Sequence, residues 1–303
     1  MAAAFFMERS LNMEHVAGYG IDVSHHQGGI DWQKVASKGI TSCGNLPVNF
    51  AVLKCIYEAQ SHRTDDYFER NYKGCIDNSI NVGIYIYHAS KSLADPIAEA
   101  NAVIKVLDGR KLHIGIWHDL EDKALKAAGT KAINYMLDVE DEILKAAGYR
   151  DIGIYCNKSW HDSVLDTKYL KGIYKYWWIA RYLKNDTGVI PGDSMSPIKY
   201  ADAWQFSSKG RVDGINGNVD LDIDFTGLAA AMSGDIPKPV SGPTTSPLGI
   251  KTVKVTNKLN VRRSPEVGDN IIGTLPNGTK VDVTEVKGSW AKIEGWVSTN
   301  YLK

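Results

Sequence analysis

The chain has no excess of either charge: 35 Lys+Arg stand against 35 Asp+Glu, a formal net charge of +0. Global attraction to nucleic acid or to an anionic membrane is therefore excluded, and no dense basic tract interleaved with aromatics supplies a local substitute. No uninterrupted apolar run approaches the roughly 20 residues of a membrane-spanning helix. Cysteine is scarce. The four thiols, Cys43, Cys55, Cys75 and Cys156, lack the close Cys-x-x-Cys or Cys/His spacing of a zinc site. Cys55 and Cys156 lie inside apolar runs, where a thiol packs as a small hydrophobe, so structural thiols made in a reducing cytoplasm are expected. The apolar core of a secretory signal is missing too, because Glu8 and Arg9 follow the mildly apolar Met1 to Phe6. Residues 1–15 are expected to be a leader outside the fold, and export by the secretory route is not expected.

What is present is enough for one large domain and a small one: 303 residues, 44% of them hydrophobic. The clearest composition shift is Gly234-Asp-Ile-Pro-Lys-Pro-Val-Ser-Gly-Pro-Thr-Thr-Ser-Pro247, whose four prolines and small polar residues read as a linker. The expected division is a large domain over 16–233, a Pro-rich linker over 234–250 and a small domain over 251–303.

In the large domain, eight short apolar runs alternate with helical or irregular stretches. They are Tyr19 to Ser24, Phe50 to Tyr57, Val82 to His88, His113 to Glu121, Ile152 to Cys156, Trp177 to Tyr182, Ala203 to Ser207 and Val219 to Phe225. Alternating strand and helix implies a parallel sheet, and eight strands over this length fit an α/β fold, an irregular (β/α) barrel; a doubly wound open sheet is the alternative. The best helix runs from Lys131 to Ala147, with Gly148 as its stop, and Pro96 to Leu107 is a second. No long helix follows Trp177, so the barrel is expected to be irregular there. Beyond the linker, β-rich runs broken by Ser264-Pro265, Pro276-Asn277-Gly278 and Lys287-Gly288 predict a small all-β barrel, with Trp290 and Trp296 in its core.

In a parallel barrel, functional groups gather at the C-terminal ends of the strands. Asp22 ends the first run, Asp119 and Glu121 end the fourth, and Asp220, Asp222 and Asp224 lie in the last. Strand alternation puts Asp119 and Glu121 on one side, where like charges raise each other's proton affinity and can keep one acid protonated near neutral pH. A solvated acidic loop, which the neighbouring Asp122 favours, is the plainer explanation. His25 and His26, adjacent on an extended segment, would point to opposite sides and share no metal; Ser24 lacks a Gly-x-Ser-x-Gly elbow. His88, His113 and His118 are expected to be hydrogen-bonded positioning residues. Tyr57, Tyr85, Tyr87, Trp117, Tyr155, Trp178, Tyr182 and Trp204 lie near strand ends; about a third are expected in a sugar-stacking cleft and the rest in the core.

Gly20-Ile-Asp-Val-Ser-His-His-Gln-Gly-Gly-Ile-Asp-Trp32 resembles the opening signature of the family 25 glycoside hydrolases, the Chalaropsis-type lysozymes. Gly83 to His88, Asp119-Leu-Glu121, Gly153 to Cys156, Trp178 to Tyr182, Ala203 to Phe206 and Gly214 to Asp220 resemble its later blocks, in order. The resemblance implies an irregular barrel that cleaves the β-1,4 bond between N-acetylmuramic acid and N-acetylglucosamine in bacterial peptidoglycan. It also implies Glu121 as general acid/base, with Asp22, Asp119 and Asp220 completing the acidic cleft, and Asp222 or Asp224 as alternatives to Asp220. Substrate contacts would come from Tyr87, Tyr155, Trp178, Arg181 and Gln205, without metal or cofactor. The second catalytic group would be Asp22, or the substrate's own N-acetyl oxygen steadied by an aspartate.

Leu259 to Pro265, Ile272 to Gly278 and Trp290 to Val297 resemble a bacterial SH3 domain, a module that commonly binds wall peptides. The combination resembles a bacteriophage endolysin, made in the host cytoplasm and released to the wall through holin lesions. Rival readings are a bacterial autolysin, a wall amidase or peptidase, and a non-catalytic wall-binding protein, which would have no need of Asp119 and Glu121 together.

Overall fold

A computed structural model describes residues 15–57, 62–89, 95–232, 250–256, 258–265, 270–287, 290–293 and 296–298. Most of the leader and nearly all of the linker expected from the sequence lie outside them. The chain divides into two compact units, Met1–Lys238 and Pro239–Lys303.

The first unit is a closed barrel of eight strands in sequence order: β1 (Gly18–Val23), β2 (Phe50–Lys54), β3 (Asn81–Tyr87), β4 (Ile116–Asp119), β5 (Ile152–Asn157), β6 (Tyr176–Ala180), β7 (Ala203–Gly210) and β8 (Val219–Asp224). The open-sheet alternative is thereby excluded. The expectation of a wholly parallel sheet needs one correction. β1 to β7 are parallel to their neighbours, but β8 runs antiparallel to both β7 and β1. Only residues 211–218 join β7 to β8, too few for a crossover, which needs about a dozen residues or more.

Side chains alternate strictly between two cores. Tyr19, Ile21, Leu53, Ile84, Ile86, Ile116, Ile154, Ile179, Trp204 and Leu221 face outward into the layer shared with the helices. Phe50, Val52, Trp117, Tyr155, Trp178 and Ala203 fill the barrel interior. Glycines make room for these rings: a Cβ on Gly20 would come within 2.2 Å of the Phe50 ring, and one on Gly153 within 2.5 Å of Trp117.

The helices are α1 (Trp32–Lys38), α2 (Phe68–Asp77), α3 (Asp95–Leu107), α4 (Lys123–Ala128), α5 (Thr130–Ala146), α6 (Lys158–Ser163), α7 (Thr167–Leu170) and α8 (Leu228–Ala231). Between β6 and β7 only a 3-10 turn, Asp193–Met195, is formed, the irregularity expected after Trp177. α5 buries Ile133, Met136, Leu137, Val139 and Leu144 as its periodicity predicts, and it stops where Gly148 takes φ +99°. Its buried face also carries two acids, Glu140 and Asp141. Asp31 caps α1 by accepting from Lys34 N, and Trp32 packs beneath it and donates to Asn71. All four cysteines are free; Cys55, Cys75 and Cys156 are buried, and Cys43 donates to the Gly188 carbonyl.

In the second unit, seven short strands pair antiparallel: β9 (Ile250–Thr252) with β12 (Lys280–Asp282), and a five-stranded sheet ordered β11 (Ile271–Pro276), β10 (Lys258–Arg262), β15 (Trp296–Ser298), β14 (Trp290–Lys292), β13 (Glu285–Lys287). Val253, Leu259, Val261, Val281, Val283, Ala291 and Ile293 form its core. That core is aliphatic. Trp290, expected inside it, is only half-buried, and the Trp296 side chain lies outside the described residues.

Candidate active site

Because the chain reverses at the β7–β8 hairpin, the start of β8 lies at the same mouth as the end of β1, and Asp220 sits directly opposite Asp22 in the antiparallel register. Asp220 thus reaches the mouth from the N-terminal end of its strand, not the C-terminal end that the parallel reading implied. On the other side of the barrel, Tyr87, Asp119 and Tyr155 are consecutive register partners on β3, β4 and β5. Two residues past Asp119, Glu121 faces the same space, while Leu120 between them is fully buried on the outer side.

These groups enclose a cleft of about 520 Å³, lined by four acids (Asp22, Asp119, Glu121 and Asp220), by Lys54, His26, Gln205 and Ser208, and by the rings of Tyr85, Tyr87, Tyr155, Trp178 and Tyr182. The volume suits a segment of an oligomeric ligand open to solvent. Of the residues expected to contact substrate, Tyr87, Tyr155, Trp178 and Gln205 line the cleft and Arg181 does not. Arg181 instead donates to the Ser194 and Met195 carbonyls and so pins the 3-10 turn before β7. Trp204 is likewise outside the cleft, fully buried against Phe206 and Phe225 in the outer core.

The floor is a hydrogen-bonded acid network. Tyr155 and Tyr182 hydroxyls donate to Gln205 Oε1, the former at 2.7 Å, and Gln205 Nε2 donates to Asp22 Oδ2 at 2.6 Å. Asp222 lies beneath Asp22 and accepts from Trp178 Nε1 at 3.0 Å. Asp224, the third acid of β8, accepts from the backbone of Thr226, Gly227 and Leu228 and closes the opposite end of the barrel. Asp222, an alternative to Asp220 in the sequence, thus lies inward beneath it, and the same period-two alternation marks Lys54 as inward-facing, the signal by which sequence reasoning could have added it.

Crowding raises the proton affinity of this group. Burial, then the charge of Glu121, pushes Asp220 up to about 7. Burial and the charges of Asp220 and Asp222 hold Asp22 well above the usual carboxylate range; burial and Glu121 do the same to Asp119, against the opposing charge of Lys54. Glu121 is raised by burial and then by Asp122. A glutamic acid that keeps its proton beyond the usual pH, at the lip of an open cleft, is equipped to act as a general acid. Asp119 Oδ1 is buried with no hydrogen-bond partner, an acceptor left for a ligand donor.

The loop after β1 is a 3-10 turn, His25–Gln27, and not an extended segment, so its two histidines do not point to opposite sides. Their ring centroids are 4.1 Å apart; His25 Nδ1 contacts Asp65 at 2.7 Å and His26 lines the cleft. Ser24 caps this turn by accepting from His26 N. Three metal-capable ligands come together among the described residues only at His88, His118 and Glu140, behind the barrel wall.

With this geometry in hand, the profile of the family "Glycosyl hydrolases family 25" matches residues 21–215, well over half of the chain. The chain belongs to that family. As a family 25 member it is a glycoside hydrolase, and residues 257–303 match a bacterial SH3 domain. Lysozyme M1 of Streptomyces globisporus is 28% identical over 233 residues, 74% of either chain. The bacterial lysozyme from Streptomyces coelicolor is 26% identical with a TM-score of 0.53, over 71% of this chain and 94% of that one. The catalytic domain of the endolysin ply40 from bacteriophage P40 of Listeria monocytogenes shares the fold at a TM-score of 0.58 and 22% identity, over 73% of this chain and 99% of that one. The family match ends before β8, so Asp220 is assigned to the cleft, and the fully buried Asp222 to the floor beneath it, by geometry alone.

Proposed function

We propose that this family 25 hydrolase is an N-acetylmuramidase that cleaves the β-1,4 bond between N-acetylmuramic acid and N-acetylglucosamine in bacterial peptidoglycan. The observation that carries the reading is the meeting of Glu121 with Asp22, Asp119 and Asp220 in one aromatic-walled cleft. Glu121 donates its proton to the departing glycosidic oxygen as the C1–O bond breaks, and then takes a proton from the water that completes hydrolysis. Of the two candidates for the second group, Asp22 is the weaker nucleophile. It is tied to Gln205 Nε2 at 2.6 Å, and burial beside Asp220 and Asp222 raises its proton affinity, which disfavours the carboxylate that attack requires. The substrate's N-acetyl oxygen therefore serves as internal nucleophile, with the open Asp119 Oδ1 accepting from the acetamido N–H. The half-buried ring of Tyr87 faces the sugars, and the buried rings of Tyr155 and Trp178 form the wall behind them. Purified peptidoglycan treated with the enzyme is expected to release soluble fragments with new reducing ends; fragments with new amino groups and no new reducing ends would overturn the reading in favour of an amidase or peptidase.

The SH3-like unit is read as a wall-peptide binder that keeps the enzyme concentrated on an insoluble polymer. Deleting residues 243–303 is expected to lower the fraction that pellets with cell walls and to slow lysis of whole cells about 10-fold or more, with activity on soluble glycan fragments retained. Unchanged pelleting would remove the targeting role. This pairing of a hydrolase with a wall binder supports the reading of an endolysin, made in a host cytoplasm and delivered to the wall through holin lesions.

A further inference from the structure

Behind β4, on the face turned away from the cleft, five buried polar residues converge where the outer ends of β3 and β4 meet α3 and α5. They are His88, His118, Glu99, Glu140 and Asp141, all essentially inaccessible to solvent. His88 Nε2 lies 2.9 Å from His118 Nδ1, and Glu140 Oε2 lies 3.5 Å and 3.3 Å from these two nitrogens. A tetrahedral ion with N and O ligands about 2.0–2.1 Å away has ligand-to-ligand edges of about 3.3 Å, so this triangle has the dimensions of one coordination face. We propose that His88 Nε2, His118 Nδ1 and Glu140 Oε2 bind a divalent transition-metal ion of the zinc class, a structural staple between the strand that carries Asp119 and helix α5.

The rest of the cluster fits the same assignment. The second nitrogen of each histidine faces a carboxylate: His118 Nε2 lies 3.0 Å from Asp141 Oδ1, and His88 Nδ1 lies 3.4 Å from Glu99 Oε2. That is the outer arrangement by which metal-bound imidazoles are oriented. With both outer nitrogens carrying their protons, both inner lone pairs are free for an ion.

A cluster held by protons alone fits less well. A neutral His88 that donates from Nε2 to His118 leaves its own Nδ1 bare against Glu99. A doubly protonated His88 satisfies that contact but still brings no donor to Glu140, which is left facing a second acid, Glu99, in the same buried pocket. Two acids facing each other in a buried pocket are costly, and an ion held by Glu140 and the two imidazoles removes the cost. Charge agrees: Glu99, Glu140 and Asp141 gather around the two imidazoles, with Lys145 on Asp141 at 2.7 Å, and a divalent cation suits so acidic a cluster. Three protein donors leave a fourth position, which a water or a rotated Glu99 completes.

The test uses the full chain, purified without chelator or metal-affinity media. Its zinc content is measured, the chain is stripped with chelator, and it is titrated with Zn²⁺ and with Co²⁺. The expected results are close to one equivalent bound, cobalt d–d bands of the intensity of a low-coordinate N/O site, and a Tm rise of about 5 °C or more on adding zinc to the stripped chain. Glu140→Gln and His118→Gln should lose the ion, and Asp141→Asn should weaken it about 10- to 100-fold. If the wild-type chain binds no ion, or if binding and the zinc-dependent Tm shift persist unchanged in Glu140→Gln, the proposal fails. If those variants do not fold, the stoichiometry and cobalt spectrum of the wild type decide.

Discussion

Glu121→Gln is expected to lower peptidoglycan turnover by about 10³-fold while leaving the far-ultraviolet circular dichroism unchanged and the Tm unlowered. Glutamine keeps the size and hydrogen-bonding capacity of the side chain but can neither deliver a proton to the leaving oxygen nor recover one from water. Glu121 lies at the end of a register row, past Asp119, and anchors neither core, so the fold has little reason to respond. One electrostatic response is expected. The charge of Glu121 is the largest cause, after burial, of the raised Asp220, so the variant should bring Asp220 down from about 7 toward the ordinary carboxylate range. Turnover within about three-fold of wild type would remove Glu121 from the acid/base role.

Asp220→Asn is expected to separate stability from activity. Asp220 has an ordinary value of 3.8 and is held at about 7 in the folded chain, so the folded state binds its proton more tightly than the unfolded state. That stabilisation is complete below about pH 4 and is lost as pH rises through about 7. The wild type should therefore lose stability across this window, and the asparagine variant should lose less. A shift of this size corresponds to about 4 kcal/mol as an upper bound, since one pH unit is about 1.4 kcal/mol. Asp220 retains some contact with solvent and shares its shift with Glu121 and Asp186, so about half of that is expected to be recovered. A gain of about 2 kcal/mol raises the Tm by about 4–8 °C at pH 8, with almost no difference at pH 4. Activity should fall, because Asp220 lines the cleft across from Asp22. Thermal unfolding at the two pH values checks the sign; an equal or lower Tm for the variant at pH 8 would contradict it.

The acidic cleft therefore costs stability above about pH 7, and the barrel bears the cost because its larger, outer core is built on the opposite faces of the strands. This separation was legible before the fold was known. The apolar runs mark all eight strands to within a few residues, since a strand buried on both faces leaves a continuous hydrophobic trace. Pairing Asp119 with Glu121 needed only the two-residue period of an extended chain. The same period, applied strictly, would have placed Arg181 and Trp204 outside, because their neighbours Ala180, Ala203 and Gln205 face inward, and would have brought in Lys54.

The direction of β8 was not read, although its signal lies in the length of residues 211–218, which suits a hairpin and excludes a crossover. His88 and His118 are hydrogen-bonded as the sequence suggests, but their meeting with Glu99 and Glu140 was beyond reach for a different reason. They come from four separate segments, and only α5, where Glu140 and Asp141 interrupt an apolar face, hints that something buried must receive them.

The central claim is that Glu121 drives cleavage on the reducing side of N-acetylmuramic acid. Its most direct test is mass spectrometry of soluble products from purified peptidoglycan, reduced with borohydride, with Glu121→Gln run in parallel. The account predicts reduced N-acetylmuramic acid at the new ends, present with the wild type and nearly absent with the variant. Reduced N-acetylglucosamine at those ends, or reduced muramic acid formed equally by both proteins, would contradict it.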